Sequence, residues 1–305
     1  MERMARIGLV LGAGGIVGGA FHEGVLRALS DATGWDPRDA EVIVGTSAGS
    51  YVGAMLRASG RTGSLGRTGG GGARDQQGRT RRFAPSAPGT VMRGLTRPGS
   101  VRVGAMLAAA MPVGRTSFAG MARGIDRVHP QGWPARALWL PAVRLRDGQR
   151  VVFGMSDSPP ASVGQAVAAS CAIPGYVTPV VIDDEQYVDG GAHSTTNADL
   201  VADLGLDLVI VCAPMGMARG AMSATALLQG RGYMRWRLAA EARAIRRAGA
   251  AVIAFSPTPA DLEVMGWNAM STGRRAAVVE RAYTSAAARL DKSDWREVLA
   301  PLAAG

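Results

Sequence analysis

Short β-branched runs alternate along this chain with longer stretches rich in small and amphipathic residues. Ile7–Leu11 is an apolar run of strand length, followed by the glycine-rich turn Gly12-Ala13-Gly14-Gly15-Ile16-Val17-Gly18-Gly19. Ala20–Leu29 predicts a helix, with Phe21, Val25 and Leu29 spaced to share one face. Asp31–Asp39 reads as a loop and Glu41–Val44 as a second strand. That strand ends in Gly45-Thr46-Ser47-Ala48-Gly49, and a helix-compatible segment, Tyr51–Ala58, follows. From about residue 60 to 86 the pattern dissolves into glycine, arginine and polar residues, which cannot hold a regular element. Val101–Met111 and Thr116–Val128 predict helices, so residues 88–128 read as a helical cap inserted into the main fold.

The alternation then resumes. Ala137–Leu145 and Arg150–Phe153 flank Asp147-Gly148, a hairpin signal. Ala161–Ser170 predicts a small-residue helix ending in Cys171-Ala172-Ile173-Pro174-Gly175. Val177–Ile182 and Gln186–Val188 form a strand pair, the second running into Asp189-Gly190-Gly191. Leu206–Cys212 is a buried strand. Ala226–Ala248 is a long helix with Gly230 and Gly232 as candidate breaks, Ala250–Phe255 a last strand and Arg274–Leu290 a last helix. Such alternation predicts an α/β fold, a mostly parallel central sheet with helices on both faces, as one domain over residues 1–305.

Composition narrows the setting. With 305 residues and 47% hydrophobic content the chain can bury a sizeable core. Two cysteines, Cys171 and Cys212, are too few for a disulfide framework and suit a reducing compartment. Arg3 and Arg6 precede an apolar stretch too short for a secretory signal, and no apolar run reaches a membrane span. A cytoplasmic location is expected. The net charge of +10 suggests nucleic acid until it is located: between Arg57 and Arg102 ten arginines face one acid, Asp75, so that stretch alone carries +9. It holds one aromatic, Phe83, where a nucleic-acid groove would interleave several along ordered elements, so no nucleic acid is expected. Two readings of the basic segment stand: peripheral contact with an anionic membrane at its inner face, or a solvated loop.

Candidate chemistry centres on Ser47. A strand, a sharp turn and a helix with a serine at the corner hold a hydroxyl exposed and strained, and Gly45 and Gly49 let helix and strand pack closely. An ordinary Gly/Ser turn has the same letters. Acyl transfer also needs a base and donors for the oxyanion. The histidines are His22, read as a surface or helix-face residue, His129 in a loop before Pro130, and His193 in a glycine-rich stretch. None is clearly placed as a base. Asp189 closes a strand at the sheet's expected carboxyl edge and is a direct carboxylate candidate, although an aspartate capping a turn looks alike. Gly14 and Gly15 can bring backbone N–H groups to a ligand at a helix start. A dinucleotide turn would need a further glycine where Val17 stands, and an acid ending the second strand.

These three elements in this order resemble the patatin-like phospholipase family. The likeness runs through Leu9-Val10-Leu11-Gly12, Gly24-Val25-Leu26 and Val44–Gly49, and resumes at Ala169–Gly175 and Tyr187–Gly191, covering roughly residues 5–58 and 160–215. It implies a three-layer patatin-like fold and a serine acyl hydrolase working on lipid or phospholipid esters, with no cofactor or metal. It further implies a Ser–Asp dyad, Ser47 as nucleophile and Asp189 as base, with backbone N–H groups around Gly14, Gly15 and Ile16 as the oxyanion hole. Many members carry a basic residue in the glycine-rich turn, where this chain has Ile16-Val17-Gly18. A lipid- or acyl-binding protein without catalysis is the alternative on the same scaffold.

Overall fold

A computed structural model describes residues 5–58, 86–97, 103–218 and 230–292, and the single positions 221, 295, 298 and 299. The glycine- and arginine-rich insertion expected at about 60–86 lies, but for Ser86, outside the described residues. In chain order the elements are β1 (Ile7–Leu11), α1 (Gly15–Thr33), β2 (Val42–Gly45), α2 (Ala48–Arg57), α3 (Pro88–Thr96), α4 (Val103–Ala110) and α5 (Ala119–Val128). Then come β3 (Ala137–Arg144), β4 (Arg150–Phe153), α6 (Val163–Ser170), β5 (Val180–Ile182), β6 (Glu185–Asp189) and β7 (Leu208–Cys212). They are followed by α7 (Arg231–Arg247), β8 (Ala251–Phe255), α8 (Pro259–Met265) and α9 (Arg275–Leu290). The chain divides into two compact units, Met1–Leu56 with Thr195–Gly305, and Arg57–Ser194.

The first unit is built on parallel strands in the order β2-β1-β7-β8. Every residue of β1, β2 and β7 is buried. Successive side chains of a strand point to opposite faces, so unbroken burial means that both faces of these strands are covered. This is the α/β arrangement that the uninterrupted apolar runs predict. The second unit pairs its strands antiparallel, in the order β5-β6-β3-β4. At the hairpin between β3 and β4 the Asp147 carboxylate accepts from Arg144, and Gly148 takes φ +71°, a conformation that favours glycine. Ala108 and Ala109 of α4 pack with Val143, Leu145 and Val188 in the core of this unit.

Several elements differ from expectation. Helix α1 starts at Gly15, five residues before the predicted Ala20, because part of the glycine-rich turn is itself helical. Strand β5 begins at Val180, immediately after Pro179, whose missing N–H suits the edge of a strand. Helix α7 starts after Gly230 at φ +70°, while the expected start at Ala226 lies outside the described residues. Helix α8 was not anticipated, although Thr258 and Asp261 form a capping box around Pro259 at its first position.

Helices α1 and α9 meet where Gly24 leaves no room. A Cβ there would stand 2.3 Å from the Val279 carbonyl oxygen and 2.8 Å from the Tyr283 nitrogen. The obstacles are backbone atoms and cannot rotate away. Gly24→Ala is therefore expected to lower stability by about 1–3 kcal/mol, read as a shift of the urea midpoint at unchanged m-value.

Candidate active site

Ser47 is the second of the two residues, Thr46 and Ser47, between β2 and α2. Its φ is +53°, in the left-handed region that non-glycine residues enter rarely. Holding it there costs on the order of 1–3 kcal/mol, so the surroundings must over-determine it. They do. Thr46 N donates to the Leu11 carbonyl at 2.9 Å, and Gly49 N donates to the Thr46 carbonyl at 2.9 Å. The Ser47 carbonyl accepts from Ser50 N at 2.8 Å, from Tyr51 N at 3.3 Å and from Ser50 Oγ at 2.6 Å. Both flanking glycines are required sterically: a Cβ on Gly45 would stand 2.5 Å from the Gly49 oxygen, and one on Gly49 would stand 1.9 Å from the Leu11 oxygen. The serine lies at the N-terminal end of α2, where the helix dipole favours negative charge.

The glycine-rich turn belongs to the same unit. Gly12 N donates to Cys212 O at 2.8 Å, Ala13 N to Thr195 O at 2.7 Å and Val17 N to Ala269 O at 3.0 Å. Gly15 has φ +63°, and a Cβ on Gly14 would meet Gly18 Cα at 2.6 Å and Pro214 Cβ at 2.8 Å. Among the described residues, the backbone N–H groups of Gly14, Gly15 and Ile16 have no hydrogen-bond acceptor. The last two are the orphan donors that begin any α-helix. A cavity of about 220 Å³ adjoins this turn, lined by Gly14, Val17, Pro214, Met215, Met265 and Trp267 among others.

His22 is not a surface residue. It is fully buried, and its Nε2 lies 2.7 Å from the Gly12 carbonyl oxygen. A carbonyl can only accept, so Nε2 carries the proton and Nδ1 is bare and buried, with no hydrogen-bond partner among the described residues. Burial lowers the pKa of the ring to about 4. His22 is thus a neutral donor that braces the glycine-rich turn, not a candidate base.

Asp189 lies in the second unit, at the end of β6 and opposite Ala142 of β3. It is 6% exposed, its N donates to Ala172 O at 3.0 Å and its Oδ1 accepts from Gly191 N at 2.7 Å. A short 3-10 turn, Gly190–Ala192, follows, and His193 comes directly after it. The structure therefore gathers Ser47, Gly45, Gly49, Gly14, Gly15 and Ile16 in one unit and sets Asp189 in the other. Asn197, which no motif marks, donates from its Nδ2 to Thr46 Oγ1 of the serine turn, and Glu241 accepts from the residues on either side of Asn197. Among the described residues no group of three or more His, Cys, Asp or Glu side chains could hold a metal ion, and no helix is long and apolar enough to cross a membrane.

A strained serine between strand and helix, beside a turn with unused backbone donors, has the parts that acyl transfer employs. The patatin-like phospholipase family model matches residues 134–202. The chain thus resembles that family, and the match implies hydrolysis of lipid esters. The matched stretch contains Asp189-Gly190-Gly191 and begins after the serine turn, which it does not include. Among solved structures, VipD from Legionella pneumophila is 13% identical with a TM-score of 0.42, covering 95% of this chain and 67% of that one. No curated protein sequence matches the chain.

His22 makes the stability of the first unit depend on pH. Unfolded, its imidazole titrates near 6.5, and folded near 4. Above the higher value both states are neutral and stability is full. Between the two only the unfolded chain takes the proton, so stability falls as the pH is lowered. Urea melts are expected to show a loss of about 2 kcal/mol between pH 7 and pH 5 in excess of that in His22→Gln, which keeps an N–H donor and does not titrate.

Proposed function

We propose that this protein is a serine acyl hydrolase that cleaves carboxylic esters of lipids through a covalent acyl–enzyme. The observation that carries this reading is the left-handed backbone of Ser47 at +53°, a strain that an ordinary strand–helix connection has no reason to keep. In the proposed reaction Ser47 Oγ attacks the ester carbonyl while the Asp189 carboxylate takes its proton. The tetrahedral oxyanion is stabilised by the N–H groups of Gly14, Gly15 and Ile16 and by the start of α2. Collapse breaks the ester C–O bond, and the proton held by Asp189 passes to the leaving alcohol. Water then attacks the acyl–serine, giving its proton to Asp189, and the fatty acid departs as Ser47 recovers its hydrogen.

Two features support a carboxylate as the base. The Nε2 proton of His22 is committed to the Gly12 carbonyl, which removes that imidazole from proton transfer. Asp189 is buried and already oriented by the Gly191 N–H, so little ordering remains to be done when a substrate arrives.

Turnover of short-chain nitrophenyl esters and of phospholipid vesicles is expected to fall by at least about 10³-fold in Ser47→Ala and in Asp189→Asn, with the circular dichroism unchanged. A fluorophosphonate probe should label the unaltered protein at Ser47. Undiminished turnover in both variants sinks the proposal. Vesicle binding with neither turnover nor labelling would instead support a non-catalytic lipid-binding protein.

A further inference from the structure

The segment that follows the second unit, Thr195–Ala198, touches both halves of the serine site. The Thr195 carbonyl accepts from Ala13 N in the glycine-rich turn at 2.7 Å. Two residues on, Asn197 is fully buried with φ +51°, and its Nδ2 donates to Thr46 Oγ1 at 3.1 Å. Thr46 is also fully buried and directly precedes Ser47. Both flanks of Asn197 are fastened to one carboxylate oxygen: Thr196 Oγ1 donates to Glu241 Oε2 at 2.5 Å and Ala198 N donates to it at 3.0 Å. Glu241 reaches in from α7 and is 4% exposed, and Arg237 Nε lies 3.4 Å from its other oxygen.

We infer that Asn197, held by Glu241, is a positioning residue that fixes the direction of the Ser47 hydroxyl through Thr46. The inference rests on the reading of Ser47 as the nucleophile. A carboxylate this deeply buried is tolerable only with several donors, and two of them are the Thr196 hydroxyl and the Ala198 N–H that flank Asn197. Asparagine visits the left-handed region more readily than other residues with a side chain, and here that conformation delivers its amide to Thr46. The bond ties the Thr46 side chain to Asn197 and so anchors the Thr46 Cα. The planar peptide to Ser47 starts at that atom, so a shift of the Thr46 backbone re-aims the serine. Because the same segment holds Ala13, nucleophile and glycine-rich turn are referenced to one piece of backbone. The effect belongs to the chemical step and not to substrate binding.

The test uses three variants of the full chain. Asn197→Gly keeps the positive φ without strain and deletes the amide, Thr46→Val removes the acceptor at nearly constant shape, and Thr46→Ser restores a hydroxyl. Phosphonylation of Ser47 by a fluorophosphonate probe and steady-state turnover of a nitrophenyl ester are measured well below each variant's melting midpoint. Asn197→Gly and Thr46→Val are expected to slow phosphonylation and kcat by roughly 10–100-fold, with KM within about twofold and Thr46→Ser close to the unaltered protein. Combining Asn197→Gly with Thr46→Val should cost no more than the worse single change, since both break one bond. Unchanged phosphonylation in Asn197→Gly and Thr46→Val overturns the inference alone. So does a loss that merely follows the folded fraction and is not restored by Thr46→Ser. Failure of the unaltered protein to label at Ser47 overturns the proposed function, and this inference with it.

Discussion

Helix α2 passes strand β1 at a distance that leaves no space for one additional carbon. Gly49 lies against the Leu11 carbonyl so closely that a Cβ would sit inside it, at 1.9 Å. The same carbonyl receives the Thr46 N–H. With the helix pressed onto the strand in this way, the chain must turn from β2 into α2 within two residues, Thr46 and Ser47, and Ser47 takes the left-handed backbone that results. Local hydrogen bonds record the turn, but packing enforces it. Burying a Val, Leu or Ile side chain contributes about 1.5–3 kcal/mol, so the wholly buried residues of β1 and β2 readily offset the strain at one serine.

The glycine-rich turn shows the complementary device. A buried imidazole is used as an uncharged donor, its ring pinned to the Gly12 carbonyl and its protonation suppressed by its surroundings. A permanently charged side chain at that depth would require a counter-ion. A neutral one requires a single acceptor, and it braces the backbone while adding no field to the neighbouring N–H groups. Those donors can then respond to whatever negative charge develops beside them.

Much of this was legible in the chain. The strands β1, β2 and β7 are continuous apolar runs because both their faces are covered, and Gly45-Thr46-Ser47-Ala48-Gly49 announces its turn through the glycines that steric closeness demands. What escaped depends on tertiary context. The start of α1 was placed late because Gly15, Gly18 and Gly19 argue against a helix locally. There the closeness of Gly18 to Pro214 and of Gly24 to α9 overrides propensity. His22 looked like a surface histidine because nothing in its own helix reveals that Gly12 will lie over it. Asn197 and Glu241 stand 44 residues apart in ordinary polar company, and no spacing rule links either to the serine turn. Only the folded arrangement of the first unit brings them there.

The first unit is also discontinuous, its early strands closing on partners that arrive much later in the chain, 151 residues later for Thr46 and Asn197: β1 lies between β2 and β7, and Ala13 and Thr46 wait for Thr195 and Asn197. Contacts of such long sequence separation form late, since loop closure must be achieved before they give any return. A nascent chain that has passed the serine but not residue 212 has the sequence of the serine turn without the β7 strand or the clamp that shape it. The topology thus acts as a timer, deferring assembly of the serine turn until most of the protein has been synthesised.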